Sequence, residues 1–234
     1  MAQRQVYIEG IGEITLAKRR GTHSLRLSIN AAGRVRIGLP YWASYAAGIS
    51  FAKSRADWIN EQQVLNQHAQ LRDGMKIGKA HTLYFNHDPH FSYIKTRIDK
   101  IGIYITGPYG DQDERVQLKA RMISEKALYN EARVILPQRV KSLSALHNYS
   151  YKELKIRKLT SRWGSCSSHK VITLSYFLMQ LPWELIDYVI LHELVHTKYL
   201  NHSPRFWQVL EELMPNAKPL QKVIKTHKPR IQPI

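Results

Sequence analysis

Three histidines and one glutamate lie close together in the stretch LHELVHTKYLNHSPRFW, residues 191–207. His192 and His196 are four residues apart, so in a helix their side chains lie on one face, one turn apart. Two imidazole nitrogens at this spacing can reach one metal ion. Glu193 is rotated by about 100° from His192, so it can flank that ion without binding it. The His-Glu-x-x-His pattern therefore predicts two metal ligands beside a general base.

A third ligand can come from either of two places beyond this helix. His202 lies just past it, at the start of the next predicted helix, where a corner between two helices can fold it back. Glu211 or Glu212 could serve instead, because some zinc peptidases use a glutamate from a following helix. We favour His202, since a shorter length of chain separates it from His196 than separates either glutamate. Either glutamate could otherwise orient a ligand histidine through a hydrogen bond.

The chemistry of such a site is hydrolytic. Three neutral histidines leave one coordination position of Zn²⁺ open, as in catalytic zinc sites. Water bound there has a pKa of about 7, and Glu193 would take its proton and pass it to the leaving amine. The residues therefore predict zinc-dependent hydrolysis of peptide bonds in a polypeptide. The plainer alternative is a helix with buried, hydrogen-bonded histidines and an ion-paired Glu193. Imidazole also suits nickel, copper and iron.

The elements that must position these residues can be read from the apolar pattern. Alternation and β-branched residues predict strands in VYIEG, EITLAKR, HSLRLSIN and RVRIGLP, with turns at Gly21 and Gly33. A helical pattern follows over residues 41–70, and strands return over residues 75–107. The stretch GPYGDQDE, residues 107–114, predicts a boundary. We therefore expect a strand-rich N-terminal region with one helix over residues 1–110, and a second domain over residues 111–234.

The second domain should begin with a long helix from about Asp111, with a break near Pro137. Strands are predicted at residues 152–159 and 171–175, followed by a helix from Pro182 to about Leu200. Ser203 and Pro204 are typical of the cap and first position of another helix. The predicted fold class is α+β.

Composition bears on partners and location. The net charge is +17, yet residues 161–217 carry four basic and five acidic residues, so the excess lies outside the histidine segment. The C-terminal tail, residues 218–234, has five basic residues and no acidic one. A basic surface of this kind attracts nucleic acid through its phosphates. The alternative function is therefore a nucleic-acid-associated protein, either a DNA- or RNA-linked protease or a binding module with a structural metal site.

Cys166 is the single cysteine, so no intrachain disulfide can form. No apolar run approaches the roughly 20 residues of a membrane helix, and the first residues lack the apolar core of a signal peptide. We therefore expect a cytoplasmic protein with no membrane contact.

Three segments together resemble the YgjP-like metallopeptidase family, which is related to the SprT-like and WLM zinc peptidases. They are RWGSCSS at 162–168, ITLSYFLMQLP at 172–182 and IDYVILHELVHTKYLNHSPRFW at 186–207. The resemblance implies a zincin-like catalytic core, with zinc on the positions of His192, His196 and His202 and the base at Glu193. Relatives among the SprT-like and WLM peptidases are linked to the cleavage of DNA-attached proteins.

The RWGSCSS segment has two interpretations. It could border the substrate cleft, since an edge strand near the metal helix of a zincin-like fold can pair with an extended substrate. The cleft residues would then be Arg162, Trp163, Gly164, Ser165, Ile172, Thr173 and Leu174. Alternatively it is a tight turn, with Trp163 and Cys166 packed inside. Tyr199 is a candidate oxyanion donor, as are Arg162 and His169.

Overall fold

The computed structural model describes residues 3–29, 34–68 and 70–231, which form two compact units, Met1–Gln70 and Leu71–Ile234. Both units combine helices with sheets, so the α+β prediction is confirmed. No helix among the described residues is long and apolar enough to span a membrane.

The first unit is a four-stranded sheet with two helices. Its elements are β1 (Gln3–Ile8), β2 (Gly12–Arg19), β3 (Arg26–Ile29), β4 (Val35–Pro40), α1 (Tyr45–Lys53) and α2 (Ala56–His68). The strand order is β1-β2-β4-β3, and only β2 and β4 run parallel. Leu16 and Leu39 are fully buried on one face, where Gly48 of α1 packs so closely that a Cβ would lie 2.8 Å from Leu39.

The four strands of this unit lie where the alternation predicts them, with Gly21 in a left-handed turn. The predicted turn at Gly33 falls outside the described residues. The single helix expected over residues 41–70 is two helices. The Ser54 hydroxyl donates to the Phe51 carbonyl at 2.9 Å, and the Arg55 amide turns back to Ala52 at 3.0 Å, which ends α1.

The second unit holds two further sheets around a long helix. Its elements are β5 (Lys76–Ile77), β6 (His81–His87), β7 (Lys95–Ile98), β8 (Gly102–Gly107), α3 (Glu114–Leu146), β9 (Glu153–Arg157), β10 (Gly164–Cys166), β11 (Val171–Ser175), a 3₁₀ helix (Tyr176–Gln180), α4 (Trp183–His196), α5 (Pro204–Leu213) and α6 (Ala217–Thr226). The sheets have the orders β5-β6-β8-β7 and β10-β11-β9, and α3 contacts strands of both. One continuous apolar core joins the sheets to the helices.

The chain divides earlier than the predicted boundary near residue 110, because strands β5–β8 share their core with α3. Buried Leu83 and Ile103 need a covering layer, which this helix provides. Its polar residues hold the segments next to these strands: Gln117 bonds both backbone groups of Leu71, at 3.0 and 2.8 Å. Glu131 accepts hydrogen bonds from the backbone of Lys79 and Ala80.

One local prediction also differs from the structure, because Pro137 lies inside α3 without ending it. About half of the basic C-terminal segment forms α6. Leu220 and Ile224 of this helix are buried in the core, while Lys222 and Lys225 are exposed.

Candidate metal centre

Helix α4 carries two of the three histidines through the middle of the second unit. It is apolar around most of its circumference and ten of its fourteen residues are buried, as expected of a helix enclosed by other elements. Asp187 fixes it to α3 by accepting a hydrogen bond from the Arg139 Nε at 2.6 Å. The helix ends at His196, earlier than the predicted Leu200, and the chain then turns back toward α5.

The structure brings His192, His196 and His202 together. Their Nε2 atoms lie 3.1 Å apart for His192 and His196, 3.2 Å for His196 and His202, and 3.0 Å for His192 and His202. Three nitrogens bound tetrahedrally to one Zn²⁺, each about 2.05 Å from it, would be about 3.3 Å apart. The triangle therefore has close to the dimensions that a shared ion requires.

Hydrogen bonding among the rings does not explain this triangle. The Nδ1 of His196 lies 2.9 Å from the Tyr199 carbonyl, which can only accept, so Nδ1 carries the proton and Nε2 presents a lone pair. Burial lowers the pKa of His192 to about 3, with further lowering by His196 and His202, and burial also lowers the pKa of His196. Neutral imidazoles whose nitrogens converge in this way form a ligand set for a cation.

Helix α5 supports the cluster from one side. Its cap residue Ser203 accepts a hydrogen bond from the Phe206 amide at 3.4 Å, which fixes the turn that carries His202. The fully buried Phe206 ring lies 4.6–4.9 Å from the three imidazole centres. Trp207 stacks on His202 with centroids 6.0 Å apart.

Glu193 lies on the same turn but faces strand β10. Only 5% of its surface is exposed, and its Oε2 is buried without a hydrogen-bond partner in the described part of the chain. Burial raises the pKa of Glu193 to about 8, and the nearby Arg162 guanidinium opposes this rise. A cation beside the histidines would favour the carboxylate in the same way as Arg162. A Cβ at Gly164 would lie 2.7 Å from Oε1, so the strand meets the carboxylate through a residue with no side chain.

Of the two strands that carry predicted cleft residues, β10 borders the site and β11 does not. The predicted cleft strand β11 lies in the centre of its sheet, between β10 and β9, so both its edges are occupied. Ile172 and Leu174 are buried to 1% and 0% exposure, which corrects their assignment to a substrate cleft. Thr173 is half-buried and pairs with Ser165 of the edge strand.

The other predicted residues have varied surroundings. Arg162 is exposed, and Trp163 packs against the core. The Tyr199 carbonyl holds His196, while its side chain packs against the core. Glu211 pairs with Lys218 at 2.7 Å, and Glu212 accepts a hydrogen bond from Gln208 at 3.1 Å. No hydrogen bond joins either glutamate to the histidines among the described residues.

The model of one known protein family, described as the YgjP-like metallopeptidase domain, matches residues 23–227. The chain belongs to the YgjP-like metallopeptidase family. The resemblance drawn from the three sequence segments is therefore confirmed, and a polypeptide is the expected class of substrate. A search of curated proteins finds no match to this YgjP-like chain.

Two solved structures are similar to part of this YgjP-like chain, and both are metallopeptidase zymogens. Abylysin of Pyrococcus abyssi is 26% identical, with a TM-score of 0.36 over 39% of this chain and 93% of its own. Jannalysin of Methanocaldococcus jannaschii is 23% identical, with a TM-score of 0.34 over 38% of this chain and 94% of its own.

Sequence reasoning missed two residues around the centre of this YgjP-like chain, Phe206 and Tyr188, and one contact, that of Gly164 with Glu193. Phe206 lies four residues after His202, a helical spacing that could have indicated their contact. Tyr188 lies four residues before His192, with ring centres 5.9 Å apart. Burial, and then the charge of Glu193, raise the pKa of Tyr188 to about 12. The approach of Gly164 to Glu193 joins segments distant in sequence and has no local signal.

Proposed function

We propose that this protein is a zinc-dependent peptidase in which His192, His196 and His202 hold the ion and Glu193 is the general base. The observation that carries the proposal is the triangle of Nε2 atoms, 3.0–3.2 Å on a side, beside a buried carboxylate with one oxygen unpartnered. Zinc, when bound there, supplies a Lewis acid that polarises a scissile carbonyl and acidifies water.

Glu193 moves the protons of the proposed reaction. Its carboxylate accepts one proton from the attacking water while the water oxygen forms a bond to the carbonyl carbon. The carboxylic acid then gives that proton to the nitrogen as the C–N bond breaks, so the carboxylate is restored and an amine and a carboxylic acid leave. The burial of Glu193 suits this role, because a pKa near neutrality lets one group both accept and donate.

The substrate chain is proposed to lie along the outer edge of β10. The Trp163 carbonyl accepts a hydrogen bond from the Ser175 amide at 2.8 Å, and the Ser167 amide donates one to the Val171 carbonyl at 3.0 Å. The backbone groups of Trp163 and Ser167 therefore point toward β11. In an antiparallel pair these positions alternate, so the N–H and C=O groups of Gly164 and Cys166 point away from β11. Among the described strands, β10 has no second neighbour. An extended peptide that pairs with this edge would pass beside Glu193.

The experiment that tests the proposal is removal and restoration of the metal. The protein should cleave an unstructured polypeptide, lose this activity after chelation, and regain it when about one equivalent of Zn²⁺ is added. Cleavage that is unchanged after chelation, with metal loss verified by elemental analysis, would contradict the proposal.

A further inference from the structure

Both described helices of the N-terminal unit pack on one face of its sheet, where Ala52 and Ile59 join the core, and no helix of the described residues packs on the other face. Residues directly opposite one another on paired strands share a face, and Ala17 pairs with Gly38, which pairs in turn with Arg26. This row lies on the side opposite to the core residues Leu16 and Leu39. Gly38, which has no side chain, lines a groove on this face, and its neighbour Ala17 is fully buried.

Three arginines surround this groove. Arg19 lies at the end of β2, Arg26 on β3 and Arg36 on β4, and all three line a cavity of about 520 Å³ with Thr22 and Ser28. No acidic residue of the described chain lines it. Within the described residues none of the three arginines forms an ion pair. The groove is therefore a site of uncompensated positive charge with two hydroxyl groups.

The chemistry of the groove matches phosphate oxygens. A guanidinium presents a planar fork of donors that fits a phosphate in a bidentate manner, and serine and threonine hydroxyls add further donors. A water molecule occupies about 30 Å³ in the liquid, so a cavity of about 520 Å³ has room for more than one phosphate group. Three separate arginines around such a volume fit successive phosphates of a chain.

An exposed aromatic side chain lies on the same face. Tyr7 pairs with Glu13, and Gln5, two residues before Tyr7, pairs with Thr15. Thr15 pairs in turn with Arg36 on β4, so all four residues lie on the same face of the sheet as Arg36. The Tyr7 side chain is 76% exposed, and Gln5 beside it is also exposed. An aromatic ring on an open sheet stacks with unpaired bases, whereas the bases of a duplex are already stacked on each other. Glu13, an acidic residue on this face, lies at the opposite end of β2 from Arg19.

We propose that this face binds single-stranded nucleic acid, with phosphates on Arg19, Arg26 and Arg36 and a base on Tyr7. The inference is independent of the proposed peptidase function, because no residue of the metal centre takes part in it. An acidic peptide would satisfy the arginines but would offer Tyr7 no base.

The test is fluorescence anisotropy of a labelled 20-nucleotide thymidine or uridine strand with the full-length protein at several salt concentrations. The triple change Arg19→Gln, Arg26→Gln and Arg36→Gln removes three phosphate contacts and should lower the salt slope by about 2. The matched control Lys222→Gln, Lys225→Gln and Lys228→Gln removes the same charge from exposed positions of the C-terminal segment. It should change the slope much less.

Two further variants separate the contributions of charge and stacking. Tyr7→Ala should weaken single-strand binding by roughly 5- to 150-fold, the usual worth of one stacked base, and leave the salt slope unchanged. Arg26→Gln alone lies at an exposed strand position and should lower the slope by about 0.7, even if the triple variant fails to fold.

Three outcomes would overturn the proposal. The first is a wild-type protein that binds neither strand at low salt. The second is equal affinity for a duplex or for polyglutamate of the same charge. The third is an equal fall of the salt slope in the lysine control.

Discussion

The backbone of Gly164 lies directly against the carboxyl group of Glu193, so that a Cβ at Gly164 would be 2.7 Å from Oε1 and 2.9 Å from Cγ. This contact joins the edge strand β10 to the metal-binding helix α4 at the residue proposed to move protons. Real Cβ atoms do not approach other atoms this closely, so a side chain here must displace the carboxylate or the strand. The contact suggests why the segment RWGSCSS accompanies the histidine motif in this chain.

Gly164→Ala should therefore reduce peptidase activity without removing the metal. The φ angle of Gly164 is not in the left-handed region, so alanine is tolerated by the backbone and the effect is one of space. A displacement of about 1 Å at a catalytic group can lower kcat/KM by about 10²-fold. Steady-state cleavage of a peptide and zinc content are the measurements, with Ser165→Ala as the neighbouring control. Full activity in Gly164→Ala would show that the contact has no catalytic consequence.

The choice of third ligand can be tested by metal content. His202→Ala should lower bound zinc well below one per chain at limiting metal, because two imidazoles hold Zn²⁺ more weakly than three. Glu211→Ala and Glu212→Ala are the controls, since Glu211 forms an ion pair with Lys218 and Glu212 accepts a hydrogen bond from Gln208. Elemental analysis after dialysis is the measurement. Retention of zinc by His202→Ala with loss in either glutamate variant would assign the third ligand to that glutamate.

Cys166 offers a test of pairing between β10 and substrate. Its N–H is one of the groups that point away from β11, so Cys166→Pro removes a hydrogen bond to substrate but none within the sheet. We expect Cys166→Pro to lower kcat/KM for long peptides by about 10-fold, the worth of one hydrogen bond. Cys166→Ala should keep wild-type activity and zinc, because the thiol takes no part in the proposed reaction. Equal activity of the two variants on long peptides would remove β10 from the substrate site.

The metal-free protein should lose stability in mild acid because of His192. Burial lowers the pKa of His192 in the folded chain to about 3, whereas in the unfolded chain it is about 6.5. Between these values the unfolded state binds more protons, so the free energy of unfolding falls as the pH is lowered through this interval. Urea unfolding of chelator-treated protein from pH 7 to pH 4 measures the fall, which should be smaller in His192→Gln. An equal fall in the two proteins would mean that His192 is not buried as a neutral ring.

The ligand positions could be predicted because helical spacing is local. Four residues separate His192 from His196, and any helix then sets their side chains on one face. The turn between α4 and α5 that carries His202 could also be predicted. Ser203 and Pro204 are residues that favour the cap and the first position of a helix.

Strand order and packing partners could not be predicted, because they depend on contacts between distant segments. The pattern of VITLS predicts a strand, yet nothing in it shows that β11 is central and β10 is the edge. The boundary between the two units could not be predicted for the same reason. The apolar pattern indicates that Leu83 is buried, but not that α3 packs against it. Pro137 shows the opposite case, in which tertiary packing keeps a helix continuous across a residue that weakens it.

The central claim is that Glu193 is the general base beside a bound ion, and Glu193→Gln tests it most directly. The change keeps the size and shape of the side chain but removes its ability to accept a proton. Zinc content and kcat/KM should be measured on the same preparation, with a polypeptide that the wild type cleaves. We expect bound zinc at the wild-type level and a loss of kcat/KM of about 10²- to 10⁴-fold. A Glu193→Gln protein that keeps its zinc and cleaves at the wild-type rate would contradict the central claim.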